Sequence, residues 1–216
     1  MLKKLGFWID NNYKVLFYFI NMTQIILATT SPNRKKLFDK IGVPYISEAS
    51  NVEEHFEGRP DTPRELVAHL ARLKAEAVAK KHNSGIIIGF DSVMYFQGEI
   101  LEKPKSQEES FERLKRLSGN FYHYYTGIYM INLDNNKILA DVVISKALMR
   151  VLKDKEILKY LDQDPHFKTR AGGFSPPEHY STTFIKRIEG SYNNILWGLP
   201  LERIMEMLFE IGHILS

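Results

Sequence analysis

Three consecutive cations, Arg34-Lys35-Lys36, follow Ser31-Pro32-Asn33 where a short apolar run at 25–28 hands over to a helical pattern. A helix start carries partial positive charge, so each exposed cation there costs about 0.3–1 kcal/mol. A capping box would want Glu or Gln where Arg34 stands. Both conflicts disappear when an anion occupies the helix N-terminus, held by free backbone N–H groups and flanked by the cations, and phosphate suits that arrangement. The competing reading is a solvated basic face. Asp91 ends the run Ile86-Ile87-Ile88-Gly89-Phe90, an acid at the sheet edge where open α/β folds place their ligands. An aspartate capping a turn is the plainer alternative. Glu53-Glu54 form a candidate metal-binding pair in the polar stretch 47–61, where acids are also often merely solvated. Lys74 borders the apolar face of a helix, where snorkelling to water is the commoner fate, and Pro104 would hold the backbone of Lys103 extended. Cations at a helix start, further lysines and carboxylates able to hold Mg²⁺ or Mn²⁺ make an inventory for phosphate transfer. That chemistry is mostly positioning plus charge neutralisation.

Other chemistries lack their signatures. The sequence contains no Walker A, no Gly-x-Gly-x-x-Gly and no Gly-x-Ser-x-Gly motif, and its seven histidines form no His-Glu-x-x-His pattern. With no cysteine, thiolate zinc sites, disulfides and cysteine nucleophiles are excluded. Lys and Arg number 29 against 26 Asp and Glu, a formal charge of +3, too small for a nucleic-acid field by itself. Tyr122-His123-Tyr124-Tyr125 could stack bases, but aromatics in a strand more often pack.

The elements that must position these residues follow from pattern. Residues 25–28 read as a buried strand, and Ser31-Pro32 as N-cap and first residue of a helix running to about 41. A strand is expected at 43–46, a long helix from about 62, a central strand at 86–88 resuming at 93–96, and a hairpin turn at Gln97-Gly98. A helix at 106–117, a long hairpin around Asp134-Asn135-Asn136, a helix at 153–162, a glycine- and proline-rich loop at 171–177, a strand at 183–188 and a closing helix at 200–211 complete the pass. The 216 residues, 44% hydrophobic and 25% charged, suit one globular domain and exclude wholesale disorder and a multi-span membrane protein. The fold class expected is α/β, a mixed twisted sheet with flanking helices and two lobes around a deep cleft. Residues 22–216 are expected to form one domain. Residues 1–21 read as an extension upstream of a start at Met22, or else as a packed amphipathic segment. Their uninterrupted apolar part, 15–20, is too short to span a membrane.

These residues together resemble the Maf family of nucleoside triphosphate pyrophosphatases. The matching blocks are Ile26-Leu27-Ala28-Thr29-Thr30-Ser31-Pro32-x-Arg34-Lys35, Val52-Glu53-Glu54, Leu70-Ala71-x-x-Lys74-Ala75 and Ile87-Ile88-Gly89-x-Asp91-Ser92-Val93. They continue through Gly98-Glu99-Ile100-x-x-Lys103-Pro104, Ser118-Gly119-Asn120, Tyr125-Thr126-Gly127, Arg170-Ala171-Gly172-Gly173-Phe174 and Gly198-Leu199-Pro200-Leu201. The resemblance implies a cytoplasmic, dimeric enzyme that uses a divalent cation to split a nucleoside triphosphate into monophosphate and pyrophosphate, with neither nucleic acid nor membrane as partner. It implies that Asp91 is the proton acceptor, that Glu54 and Asp91 hold the metal, and that Lys74 and Lys103 act in catalysis. Ser31, Arg34 and Lys35 match phosphate-contacting positions. Asn33, Ser92 and Glu178 match positions that set the base, and Glu178 points to the 7-methyl-GTP branch because a carboxylate suits a guanine edge. The dTTP/UTP branch is the alternative. A nucleotide-binding regulator with weakened catalysis and a nucleic-acid binder are the readings from other classes.

Overall fold

The computed structural model describes residues 23–213; the expected N-terminal extension lies outside them. One seven-stranded sheet carries the chain, in the order β2-β1-β3-β5-β6-β7, with β4 paired to β3. Strands β1 (Ile25–Ala28), β2 (Tyr45–Ser47) and β3 (Ile86–Phe96) run parallel to one another. Strands β4 (Glu99–Leu101), β5 (Phe121–Asn132), β6 (Lys137–Met149) and β7 (Ile185–Glu189) pair antiparallel with their neighbours. Helices α1 (Pro32–Ile41), α2 (Pro63–Ala79), α3 (Gln107–Leu117), α4 (Asp154–Gln163), α5 (Tyr192–Trp197) and α6 (Leu201–Glu210) flank it. The expected mixed α/β class holds. No helix among the described residues is long and apolar enough to cross a membrane.

Strand β3 positions the site. Alternate side chains of a strand face opposite sides of the sheet. On one side Ile86, Ile88 and Phe90 pack with α1 and α6, whereas Met94 and Phe96 belong to a second core with α3 and α4. Ser92 falls between these two cores. On the other side Ile87 packs with Ala75 and Val78, Val93 packs with Leu66, Val67 and Leu70, and Asp91 falls between them under α2. The side chains pack into separate cores joined by the long strands. The ladder with β1 ends at Ala28–Gly89 and the ladder with β4 begins at Met94–Leu101. Between them, Phe90 to Val93 have no strand partner on that edge, while the other edge stays paired to β5 throughout.

Several local expectations shift. Asp91 does not end a strand: β3 runs unbroken through it, because β5 pairs with ten successive residues across the polar pair. The second strand starts two residues late, at Tyr45, where β1 supplies a parallel partner. The late glycine-proline loop is wound into 3-10 turns at Ala171–Gly173 and His179–Thr183, so β7 begins at Ile185. Helix α5 has no counterpart in the sequence reading. Tyr122 is fully buried, edge-on to Phe174 at 6.1 Å, which takes it out of any base-stacking surface.

Candidate active site

Helix α2 begins at Thr62, whose hydroxyl oxygen accepts from the Glu65 backbone N–H at 3.3 Å, with Pro63 in the first turn. Its apolar face seats Leu70, Ala71 and Ala75 on the sheet, and this orientation aims Lys74 at β3. The Lys74 ammonium lies 2.6 Å from Asp91 Oδ1 and 2.7 Å from Glu54 Oε1. Asp91 and Lys74 are largely buried, and Glu54 is the open member, its side chain 42% exposed. Burial pushes the Asp91 carboxyl above the usual carboxylate range, outweighing the pull of Lys74 and Arg34. Burial works the same way on Glu54, but there the hydrogen bond and charge of Lys74, helped by Lys103, leave it below its ordinary value. One ammonium therefore faces a proton-hungry carboxylate and a firmly ionised one, the divergence that separates a base from an electrostatic partner. Lys103 itself is exposed, two residues beyond the end of β4, close enough to act on Glu54.

Arg34 sits at the unpaired edge of β3. Its guanidinium donates from Nη1 to the Phe90 carbonyl at 3.3 Å, from Nη2 to Ser92 Oγ at 2.7 Å and from Nε to the Gly198 carbonyl at 3.3 Å. It thus brackets Asp91 along the strand and ties the turn after α5 to it. Three of its five N–H groups are taken, so it serves as a structural clamp as well as a cation beside the acid. Arg34→Lys, which keeps the charge but offers no fork, should lower kcat/KM by roughly 10- to 100-fold through misplacement of the edge. An unchanged kcat/KM would show that the charge alone matters.

Ser31 occupies the N-cap position of α1 but its side chain makes no capping bond, contrary to the expected cap, and the first turn holds no acid. Its backbone N–H instead donates to Thr29 Oγ1 at 3.2 Å. The hydroxyl and the first-turn amides are left for another acceptor. Of the three cations, Lys36 turns to the Trp197 ring at 5.7 Å, with Lys40 at 4.7 Å, whereas Lys35 and Asn33 are half-buried at the helix start.

Two expected specificity residues are engaged by the protein itself. Ser92 Oγ takes the Arg34 bond, donates to the Gly198 carbonyl at 3.2 Å and lies 2.8 Å from Thr126 Oγ1. Glu178 pairs with Arg170 at 2.7 Å, beside the buried Asp164. No hydrogen bond or ion pair among the described residues joins Glu178 to Asp91. Sequence reasoning missed Tyr124, Thr126 and Asn194. The Tyr124 hydroxyl lies against Gly198, and Thr126 donates to Asn194 Oδ1 at 2.6 Å. Thr126 stood in a quoted motif block, while Asn194 lies in the short helix the pattern did not reveal. No group of three or more His, Asp or Glu side chains suited to a metal occurs among the described residues.

A family model described as Maf-like protein matches residues 24–211. The chain belongs to the Maf family. Among its Maf relatives, a dTTP/UTP pyrophosphatase of Dictyoglomus thermophilum is 34% identical over 88% of this chain and 97% of that protein. A nucleoside triphosphate pyrophosphatase of Microcystis aeruginosa is 36% identical over 88% of this chain and 95% of its own length. A dTTP/UTP pyrophosphatase of Clostridium tetani is 37% identical over 87% and 97%. The solved Staphylococcus aureus Ham1 protein aligns with TM-score 0.46 and 17% identity over 87% of this chain and 98% of that one.

Proposed function

We propose that this Maf protein is a nucleoside triphosphate pyrophosphatase, with the triphosphate lying between the uncapped start of α1 and the Asp91–Lys74–Glu54 cluster. The observation that carries the reading is that cluster, a buried acid of raised proton affinity held by a shared lysine at the open edge of β3. The Ser31 end of the helix and Lys35 receive phosphate oxygens. Asp91 accepts a proton from the attacking water, the water oxygen bonds to the α-phosphorus, and the bond from that phosphorus to the α–β bridging oxygen breaks. Lys74 and Lys103 neutralise charge gathering on the departing pyrophosphate.

Glu54 and Asp91 also fit a divalent cation. Their oxygens converge on one cationic point, at present the Lys74 ammonium, and Mg²⁺ is commonly bound by one or two carboxylates plus substrate phosphates. When bound, such a metal supplies charge neutralisation on the triphosphate.

For the base, we propose a pyrimidine nucleotide of the dTTP/UTP class. The 7-methyl-GTP reading drew on Asn33, Ser92 and Tyr122 as well as on Glu178, whose carboxylate is held by Arg170, and relatives named for dTTP and UTP support the pyrimidine reading. Likeness to the family supports a cytoplasmic homodimer, which sedimentation would test. The deciding experiment is pyrophosphate release over dTTP, UTP, the purine triphosphates and 7-methyl-GTP, with Mg²⁺ and Mn²⁺. Turnover fastest on dTTP or UTP is expected, and Glu178→Gln should leave that order unchanged. Fastest turnover on 7-methyl-GTP, lost in Glu178→Gln, would restore the guanine reading; binding without turnover on any nucleotide would make the protein a sensor.

A further inference from the structure

Helix α2 lies with its backbone directly on strands β3 and β5 at two glycines that neighbour Asp91. Gly89 precedes Asp91 by two residues on the same face of β3, and Gly127 is its cross-strand partner on β5. A Cβ at Gly89 would stand 2.1 Å from the Ala71 carbonyl oxygen and 2.7 Å from the Ala75 nitrogen. At Gly127 it would stand 2.2 Å from the Val67 carbonyl oxygen and 2.9 Å from the Ala68 nitrogen. The closest atoms are helix backbone, so rotating a side chain relieves neither clash; the helix would have to lift. Neither glycine has the positive φ that would demand glycine for conformational reasons. The requirement is closeness.

That closeness is local to the acid. Farther along the same face, Ile87 and Val93 meet α2 through ordinary side-chain packing. At the two glycines beside Asp91 the layer of side chains between helix and sheet is removed. Lys74 sits between Ala71 and Ala75 in the helix sequence, so lowering the helix here brings its ammonium to 2.6 Å from Asp91 and covers the acid until 7% of it remains exposed.

We propose that Gly89 and Gly127 are positioning residues of the hydrolytic centre: they let α2 settle on the sheet at the depth that sets the Lys74–Asp91 contact and shuts water away from the acid. The inference rests on the proposed role of Asp91 as proton acceptor. Gly89→Ala and Gly127→Ala should each lower kcat roughly 10- to 100-fold, as expected of a displacement near 1 Å, with KM nearly unchanged. A merely destabilised variant would keep the native kcat once rates are divided by its folded fraction from circular dichroism. Ala75→Ser, at the residue whose Cβ faces the Gly89 position, carries the same test if the glycine variants do not fold. A crystal structure of the variant needs no turnover. If the native protein cleaves no nucleotide, the functional reading fails while that structure still decides the positioning claim. Helix α2 lifted from the sheet, with the Lys74–Asp91 separation lengthened from 2.6 Å, supports it; an unmoved helix with that contact intact, or wild-type kcat in folded Gly127→Ala, overturns it.

Discussion

Asp91→Asn abolishes turnover and leaves the fold intact: a fall in kcat of about 10²–10⁴-fold is expected when a general base is removed, together with an equal or higher thermal midpoint. The stability half follows from burial. The folded protein raises the proton affinity of Asp91, so the folded state holds this proton more tightly than the unfolded chain does. Its ionised form therefore works against folding, by an amount that grows as pH rises from the ordinary carboxylate range and is fully present above the folded-state titration. Asparagine keeps the shape and removes that charge, while Lys74 retains Glu54 as its partner. Each kcal/mol gained would raise the midpoint of a domain this size by roughly 2–4 °C. Pyrophosphate release and thermal melts by circular dichroism at pH 8 check both halves. Activity within tenfold of the native protein, in a folded variant, would remove Asp91 from the mechanism.

Lys74→Met should harm stability and activity together, the opposite pairing. It leaves two carboxylates facing each other with no cation between them, Asp91 with a side chain only 10% exposed. Breaking a buried pair by removing one partner typically costs about 3–5 kcal/mol. The cost depends on pH in a definite direction. Without Lys74 the proton affinity of Asp91 rises further, so acid relieves the orphaned charge and the loss should be smaller at pH 5 than at pH 8. Turnover should drop by at least about 10²-fold, because charge on the leaving pyrophosphate loses a cation of the proposed site. Denaturant melts at the two pH values provide the check; a loss independent of pH would mean that Lys74 acts by packing alone.

The two variants separate what Lys74 and Asp91 do, and neither separation could have been drawn from residue types. Asp91 was legible because a polar pair interrupts an otherwise apolar strand, and that interruption coincides with the divide between cores. The start of α1 was legible because Pro32 follows the N-cap position of Ser31 and cations stand where acids belong. The partner of Glu178 was not legible for a physical reason. In a glycine- and proline-rich loop no periodicity tells which way a side chain faces, and its partner Arg170 is reached through the 3-10 winding of that loop. Helix α5, at six residues, is too short to display a helical pattern; Asn194 anchors it by bonding to the backbone of Tyr124 and Val143.

From the chain alone came the element types, the mixed α/β class and the list of charged residues able to handle a triphosphate, because capping, periodicity and strand burial are encoded within a few neighbouring residues. Tertiary structure alone decided how those charges are used. Arg34 finds its three acceptors 56, 58 and 164 positions away, and Lys74 meets Asp91 only because α2 rests on two bare positions of the sheet. Strand register and helix depth are collective outcomes of packing, and the proton affinity of a buried acid follows from them.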